Sequence, residues 1–136
     1  MGSGGGFPGL VAAIALEDED LEFFLIESDR RKAVFLRNAA REMSLSNVKI
    51  IAERIEELPP QEANVTSARA LAPLDVLVGL SHRHMAKEGV AWFMKGKNWR
   101  EELRLAQVRW SFSFEVFPST TNSEAAVIRI AGVTDA

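Results

Sequence analysis

Helical and strand-like segments alternate along this chain and close on an antiparallel hairpin, which predicts an α/β fold, a three-layer sandwich around a mixed sheet. Three observations carry that expectation. Leu21 to Ile26 is almost continuously apolar and aromatic, as in a strand buried on both faces of a parallel sheet. From Asp29 to Met43 the pattern changes period, with Ala33, Leu36, Ala40 and Met43 recurring at helical spacing. The chain then ends on two strand-rich runs, Val108 to Phe117 and Ala125 to Ala131, joined by the turn-forming stretch Pro118 to Ser123.

The first element is a loop, Gly2-Ser3-Gly4-Gly5-Gly6, whose glycines permit positive φ and a close approach of backbone. Phe7-Pro8-Gly9 leads from it into a helix ending near Leu16. The strand to Ile26 follows, then the helix from Asp29, with Asp29 as N-cap and Ser44 to Asn47 as terminator. Val48 to Ala52 is the next strand, and Pro59-Pro60 marks a loop. Asn64 to Ser67 is read as a strand, Pro73 to about Ser81 as a helix, Val90 to Lys95 as a strand and Glu101 to Ala106 as a helix. A strand normally precedes such a glycine loop, yet only Met1 stands before Gly2, so the first strand is expected to be missing.

At 136 residues, 47% apolar and 26% charged, the chain has material for one core, and a single domain over 1–136 is expected. There is no cysteine, which excludes disulfides and thiolate zinc sites and suits a reducing compartment such as the cytoplasm. The longest apolar stretches, such as Phe23 to Ile26 and Val90 to Met94, fall far short of the ~20 residues that span a bilayer. The opening glycines do not read as a secretory signal. A net charge of −3 provides no overall attraction to nucleic acid, so RNA would have to meet a local basic face.

The spacing Gly2-x-Gly4-x-Gly6 lets backbone pass beneath a cofactor where side chains would clash. The overlapping Gly4-x-Gly6-x-x-Gly9 also satisfies the dinucleotide fingerprint, so glycines alone do not separate an S-adenosylmethionine (SAM) site from a nicotinamide site. Glu27 ends the second apolar run some twenty residues later, where a carboxylate either accepts from both hydroxyls of a ribose or caps the next helix. Glu17-Asp18-Glu19-Asp20 reads as a solvated turn, and His82 and His84 lack further ligands, so no metal is expected. Arg30, Arg31, Lys32 and Arg37 form either an RNA-facing surface or a solvated helix face. Lys95, Lys97 and Arg100 form a second candidate patch at a strand end.

Longer blocks are more specific. They run Gly2 to Leu10, Ile26-Glu27-Ser28-Asp29, Lys32 to Arg37, Leu45-Ser46-Asn47, Glu53 to Glu57, Ala68-Arg69-Ala70-Leu71-Ala72-Pro73-Leu74 and Met94-Lys95-Gly96. Together they resemble the 16S ribosomal RNA guanine-N7 methyltransferases, the small-subunit methyltransferase G family, in order and over nearly the whole chain. The resemblance implies a Rossmann-like, SAM-dependent methyltransferase fold, 16S ribosomal RNA or the small ribosomal subunit as partner, and a monomer. It further implies that Gly2, Gly4, Gly6 and Phe7 line the SAM pocket, that Glu27 takes the ribose, and that Ile55 and Glu56 hold the adenine region. Arg69 would sit by the active site, as both a catalytic and a cofactor-binding residue, and Lys95 would be a second catalytic residue.

Overall fold

The computed structural model describes residues 1–136, which divide into two compact units, Met1–Leu58 and Pro59–Ala136. Met1–Leu58 contains α1 (Gly9–Ala15), β1 (Phe23–Ile26), α2 (Arg30–Glu42), β2 (Val48–Ile51) and a 3-10 turn at Ile55–Glu57. β1 and β2 pair in parallel, with Phe23 opposite Val48 and Ile26 opposite Ile51. α2 forms where expected because its apolar stripe is continuous and its start is capped: Asp29 Oδ1 accepts from the backbone N–H groups of Arg31 at 2.9 Å and Lys32 at 3.1 Å. It ends at Glu42, and two residues on the chain turns away at Ser44, whose φ of 54° lies in the left-handed region. Leu10 and Ala13 of α1, Leu25 of β1, and Leu36, Ala40 and Leu45 form the core of this unit.

Only part of the run Leu21 to Ile26 is strand, and its second face is covered only at Ile26, which is buried. Phe23 and Leu25 join the core cluster made by α1 and α2, whereas Phe24, on the opposite side of the pleat, is 45% exposed. Its ring instead meets the ammonium of Lys49, its cross-strand neighbour, at 5.5 Å.

Pro59–Ala136 contains β3 (Ala63–Arg69), α3 (Leu74–His84), β4 (Met85–Lys95), α4 (Trp99–Arg109), β5 (Trp110–Pro118) and β6 (Ala126–Asp135). The sheet order is β3-β4-β6-β5; β3 and β4 are parallel, and the β4–β6 and β6–β5 pairs are antiparallel. The predicted mixed sheet is therefore present in this unit, while the strands of Met1–Leu58 form a purely parallel pair of their own. Ala68, Ala91, Phe93, Ile128 and Ile130 are fully buried, as are Leu74, Leu77 and Val78 on α3. Trp110 opens β5 and donates from Nε1 to the Asp75 carbonyl at 3.0 Å. Its ring explains the mid-helix glycine in α3, because a Cβ at Gly79 would lie 2.9 Å from the indole.

Element ends moved more than elements did. α3 continues through His82, Arg83 and His84, and β4 starts at Met85, five residues before the expected Val90. α4 runs to Arg109 and absorbs Val108, which is 72% exposed on the helix. No helix is long and apolar enough to cross a membrane.

Candidate functional site

In Met1–Leu58 the glycine loop and the carboxyl end of the parallel pair converge. Gly2, Gly4 and Gly6 have φ of 60°, 41° and 93°, and the Gly6 N–H donates to the Ser3 carbonyl at 2.6 Å, closing a tight turn. Space around the loop is graded. A Cβ on Gly6 would stand 2.6 Å from Leu10 Cδ1 and one on Gly9 2.9 Å from Leu25 Cγ, so both glycines are required by packing. A Cβ on Gly5 would meet nothing within 4 Å and one on Gly4 only the Gly2 carbonyl at 3.8 Å, which leaves a bare strip of backbone facing open space.

Glu27 lies against this strip. Its N–H donates to the Ile51 carbonyl at 3.0 Å, extending the ladder by one residue past β1, and its Oε2 accepts from the Gly4 N–H at 3.3 Å. The side chain is buried, with Glu27 only 7% exposed. A carboxylate can accept about four hydrogen bonds, so the long bond from Gly4 is compatible with further bonds from the two hydroxyls of a ribose. The alternative of a helix cap is answered directly, since α2 is capped by Asp29. The Met1 amine is pushed down to about 6 by burial, with the Glu27 charge pulling it the other way.

Because β1 and β2 are parallel, the turn after β2 opens at the same end as Glu27. Ile55 is buried there and Glu56 is exposed, with a carboxylate oxygen 3.7 Å from the Arg54 guanidinium. An exposed pair that long contributes little, so Glu56 is free to turn. Phe7 presents a 58% exposed ring beside the loop. Gly2, Gly4, Gly6, Phe7, Glu27, Ile55 and Glu56 therefore all belong to one end of this unit. A buried acceptor, a side-chain-free strip and exposed flanking groups are a donor and acceptor set that a nucleoside with an amino-acid tail fits.

In Pro59–Ala136 the residues singled out behave differently. Arg69 ends β3 opposite Met94 of β4, is exposed, and enters no ion pair. Lys95 ends β4 and is buried, its Nζ 2.7 Å from Glu102 Oε2 and donating to the Ala72 carbonyl at 3.0 Å. The same Glu102 oxygen accepts from the Leu74 N–H at 2.9 Å, so one carboxylate on α4 fastens the start of α3 to the end of β4. Glu102 escaped the sequence reading; it lies 28 residues from Leu74, and nothing in its helix sets it apart from Glu101. Ala70, Ala72, Pro73, Lys95, Asn98, Glu101 and Glu102 line an open depression of about 740 Å³. Nearby, Arg100 lies over the Trp99 ring at 4.3 Å and Lys97 is exposed. No three His, Asp or Glu side chains are disposed to hold a metal.

Comparison with known proteins agrees with this architecture. The putative methyltransferase yhhF from Escherichia coli superposes with a TM-score of 0.68 at 17% identity, over 98% of this chain and 74% of that one. A SAM-dependent methyltransferase from Aquifex aeolicus gives 0.72 at 12% identity, over 97% and 78%. The fold is thus that of the Rossmann-like, SAM-dependent methyltransferases. In sequence, the chain is 47% identical over 133 residues to ribosomal RNA small subunit methyltransferase G of Paracoccus denitrificans, covering 98% of this chain and 68% of that protein. It is 50% identical over 130 residues to the protein of that name from Granulibacter bethesdensis, covering 96% and 59%. The chain spans about two thirds of the length of the curated relatives it matches. A family model described as GidB, rRNA small subunit methyltransferase G, matches residues 1–128, and with these relatives it establishes that the chain belongs to that family.

Proposed function

We propose that this chain transfers the methyl group of SAM to N7 of a guanine in 16S ribosomal RNA, acting in the cytoplasm as a monomer with residues 1–136 as a single methyltransferase domain. The observation that carries this reading is the buried Glu27 carboxylate beside the bare glycine strip, in a chain of the small subunit methyltransferase G family. Bound SAM supplies a methyl carbon on a positively charged sulfur, and the rest of the work falls to the protein.

Glu27 accepts from the ribose hydroxyls. Gly2, Gly4 and Gly6 pass beneath the ribose and amino-acid portion, and Phe7 closes over them. Ile55 gives an apolar edge to the adenine, and Glu56 turns from Arg54 to accept from its exocyclic amine. Arg69, exposed and unpaired, grips the substrate's phosphate or base. Lys95 serves the active site from its buried pair with Glu102, holding the Ala72 carbonyl and hence the chain after Arg69 in place.

Guanine N7 carries an in-plane lone pair and no proton, so attack needs no general base. Positioning of nucleophile, methyl carbon and sulfur is the main task and is worth up to ~7–11 kcal/mol. Unstacking the guanine costs a few kcal/mol, which contacts to the flanking RNA must offset.

The test is titration calorimetry of residues 1–136 with SAM, S-adenosylhomocysteine and NAD, followed by methyl transfer to small-subunit RNA with detection of 7-methylguanine. Saturable binding of SAM but not NAD, with label appearing at N7, is expected. A folded chain that ignores SAM, or that labels another position, sinks the reading.

A further inference from the structure

We infer that one face of α2, marked by Arg30, Arg37 and Arg41, is a docking surface for the phosphate backbone of the RNA substrate; this rests on the rRNA reading above. α2 carries five cations, Arg30, Arg31, Lys32, Arg37 and Arg41, against a single carboxylate of its own, Glu42, in a chain whose net charge is −3. All five are exposed, and none takes part in an ion pair. The Asp29 charge acts on Arg31 and Lys32, and Arg41 donates to the neutral Asn38 at 2.6 Å, so Arg30, Arg37 and Arg41 keep their full charge and form the local footprint that a polyanion requires.

Spacing makes three of them a line. Positions i, i+7 and i+11 return to the same side of a 3.6-residue helix, so Arg30, Arg37 and Arg41 form a stripe ~16 Å long. Ala33, Leu36 and Ala40 bury a stripe about a quarter-turn away, and Val34, about half exposed, lies beside the arginines. The backbone amides at the start of α2 are not available to the anion, because Asp29 occupies those of Arg31 and Lys32. The side chains therefore carry the contact.

Polarity within this unit supports the assignment. Three residues separate the end of β1 from the start of α2, so its cationic first turn lies at the carboxyl end of the parallel pair, where Glu27 and the glycine loop also lie. The acidic run Glu17-Asp18-Glu19-Asp20 and Glu22 precede β1 and belong to its other end. α2 runs back from the cofactor end, with Arg30 there and Arg37 and Arg41 farther along it, so the stripe guides an RNA strand along the helix toward the cofactor end and the acidic run bounds its other end.

The experiment is fluorescence anisotropy of the full chain with a labelled small-subunit rRNA fragment, over a series of salt concentrations. The triple variant Arg30→Gln/Arg37→Gln/Arg41→Gln is compared with Lys97→Gln/Arg100→Gln, and SAM titration is run on each. Gln matches Arg in helix propensity, so α2 persists, as circular dichroism will register. The expected result is at least a ~tenfold weaker complex and a log K against log salt slope shallower by ~2 in the triple variant, with SAM affinity unchanged. An unchanged slope in the triple variant, or the loss falling on Lys97→Gln/Arg100→Gln instead, overturns the surface alone. No RNA binding by a wild-type chain that binds SAM overturns the rRNA reading, and this surface with it.

Discussion

The two units hold a carboxylate in opposite ways, buried at Glu27 and partly exposed at Glu102. In Met1–Leu58, Glu27 is buried against a loop without side chains, accepts a long hydrogen bond from Gly4, and acts by charge on the Met1 amine. In Pro59–Ala136, one oxygen of Glu102 is fully engaged, taking the Lys95 ammonium and the Leu74 amide together, and Lys95 spends a second proton on Ala72. The first carboxylate faces a bare backbone strip; one oxygen of the second is committed to joining α3, α4 and β4. A carboxylate beside open space, rather than one built into the packing, therefore marks a binding group.

That contrast breaks first at Glu102. Glu102→Ala leaves a buried ammonium without its counter-charge and the start of α3 without its acceptor, and should cost ~3–5 kcal/mol by urea unfolding. Lys95→Met, which leaves Glu102 capping Leu74, should cost clearly less. Equal losses for the two would show that the pair is not organised around the carboxylate. At Glu27 the damage should fall on binding. Glu27→Gln keeps an acceptor for Gly4 but weakens the contact to ribose, so calorimetry should read SAM affinity down by ~10- to 100-fold, with the melting temperature nearly unchanged. Unaltered affinity would move the ribose away from this residue.

Smaller effects sharpen the loop. Gly9→Ala drives a methyl into Leu25 and should destabilise by ~1–3 kcal/mol, whereas Gly5→Ala, pointing into open space, should leave stability nearly intact and reduce SAM binding. Comparable stability losses at both positions would refute the graded space. The smallest effect belongs to Asp29. Its carboxyl is held below the usual carboxylate range chiefly by the Lys32 N–H, with further help from the Arg31 N–H and the two side-chain charges. A lowered acid contributes stability that is present above its unfolded value and lost as pH falls through its folded one. Thermal melts should thus show a modest loss of stability on the acid side, below about pH 4, which Asp29→Ala removes.

Much of this was legible in the order of residues. α2 was readable to its cap, because an Asp before a 3.6-residue apolar stripe states both the start and the buried side of a helix. Glu27 was readable as a candidate because it closes an apolar run at the expected distance from a glycine loop. The α3–β4 boundary was not. His82-Arg83-His84 has no apolar periodicity, and whether it coils or extends is decided by burial of His84 within the fold. Glu102 was invisible for a related reason: its two partners come from positions 74 and 95, and only the docking of α4 brings them to one oxygen. Phe24 was misjudged because continuous apolarity says nothing about how many faces of a strand are covered.

The indole of Trp110, seated beside Gly79 and bonded to the Asp75 carbonyl, also makes the chain unusually convenient to watch. All three tryptophans, Trp92, Trp99 and Trp110, lie in Pro59–Ala136, and the sequence contains no tyrosine. Intrinsic emission excited at the red edge of protein absorbance therefore reports on that half alone, while Met1–Leu58 is optically silent and is seen only by far-ultraviolet dichroism of α1 and α2. Dichroism sums α1 to α4, so in a single unlabelled sample a dichroism change without a change in tryptophan emission is assigned to Met1–Leu58.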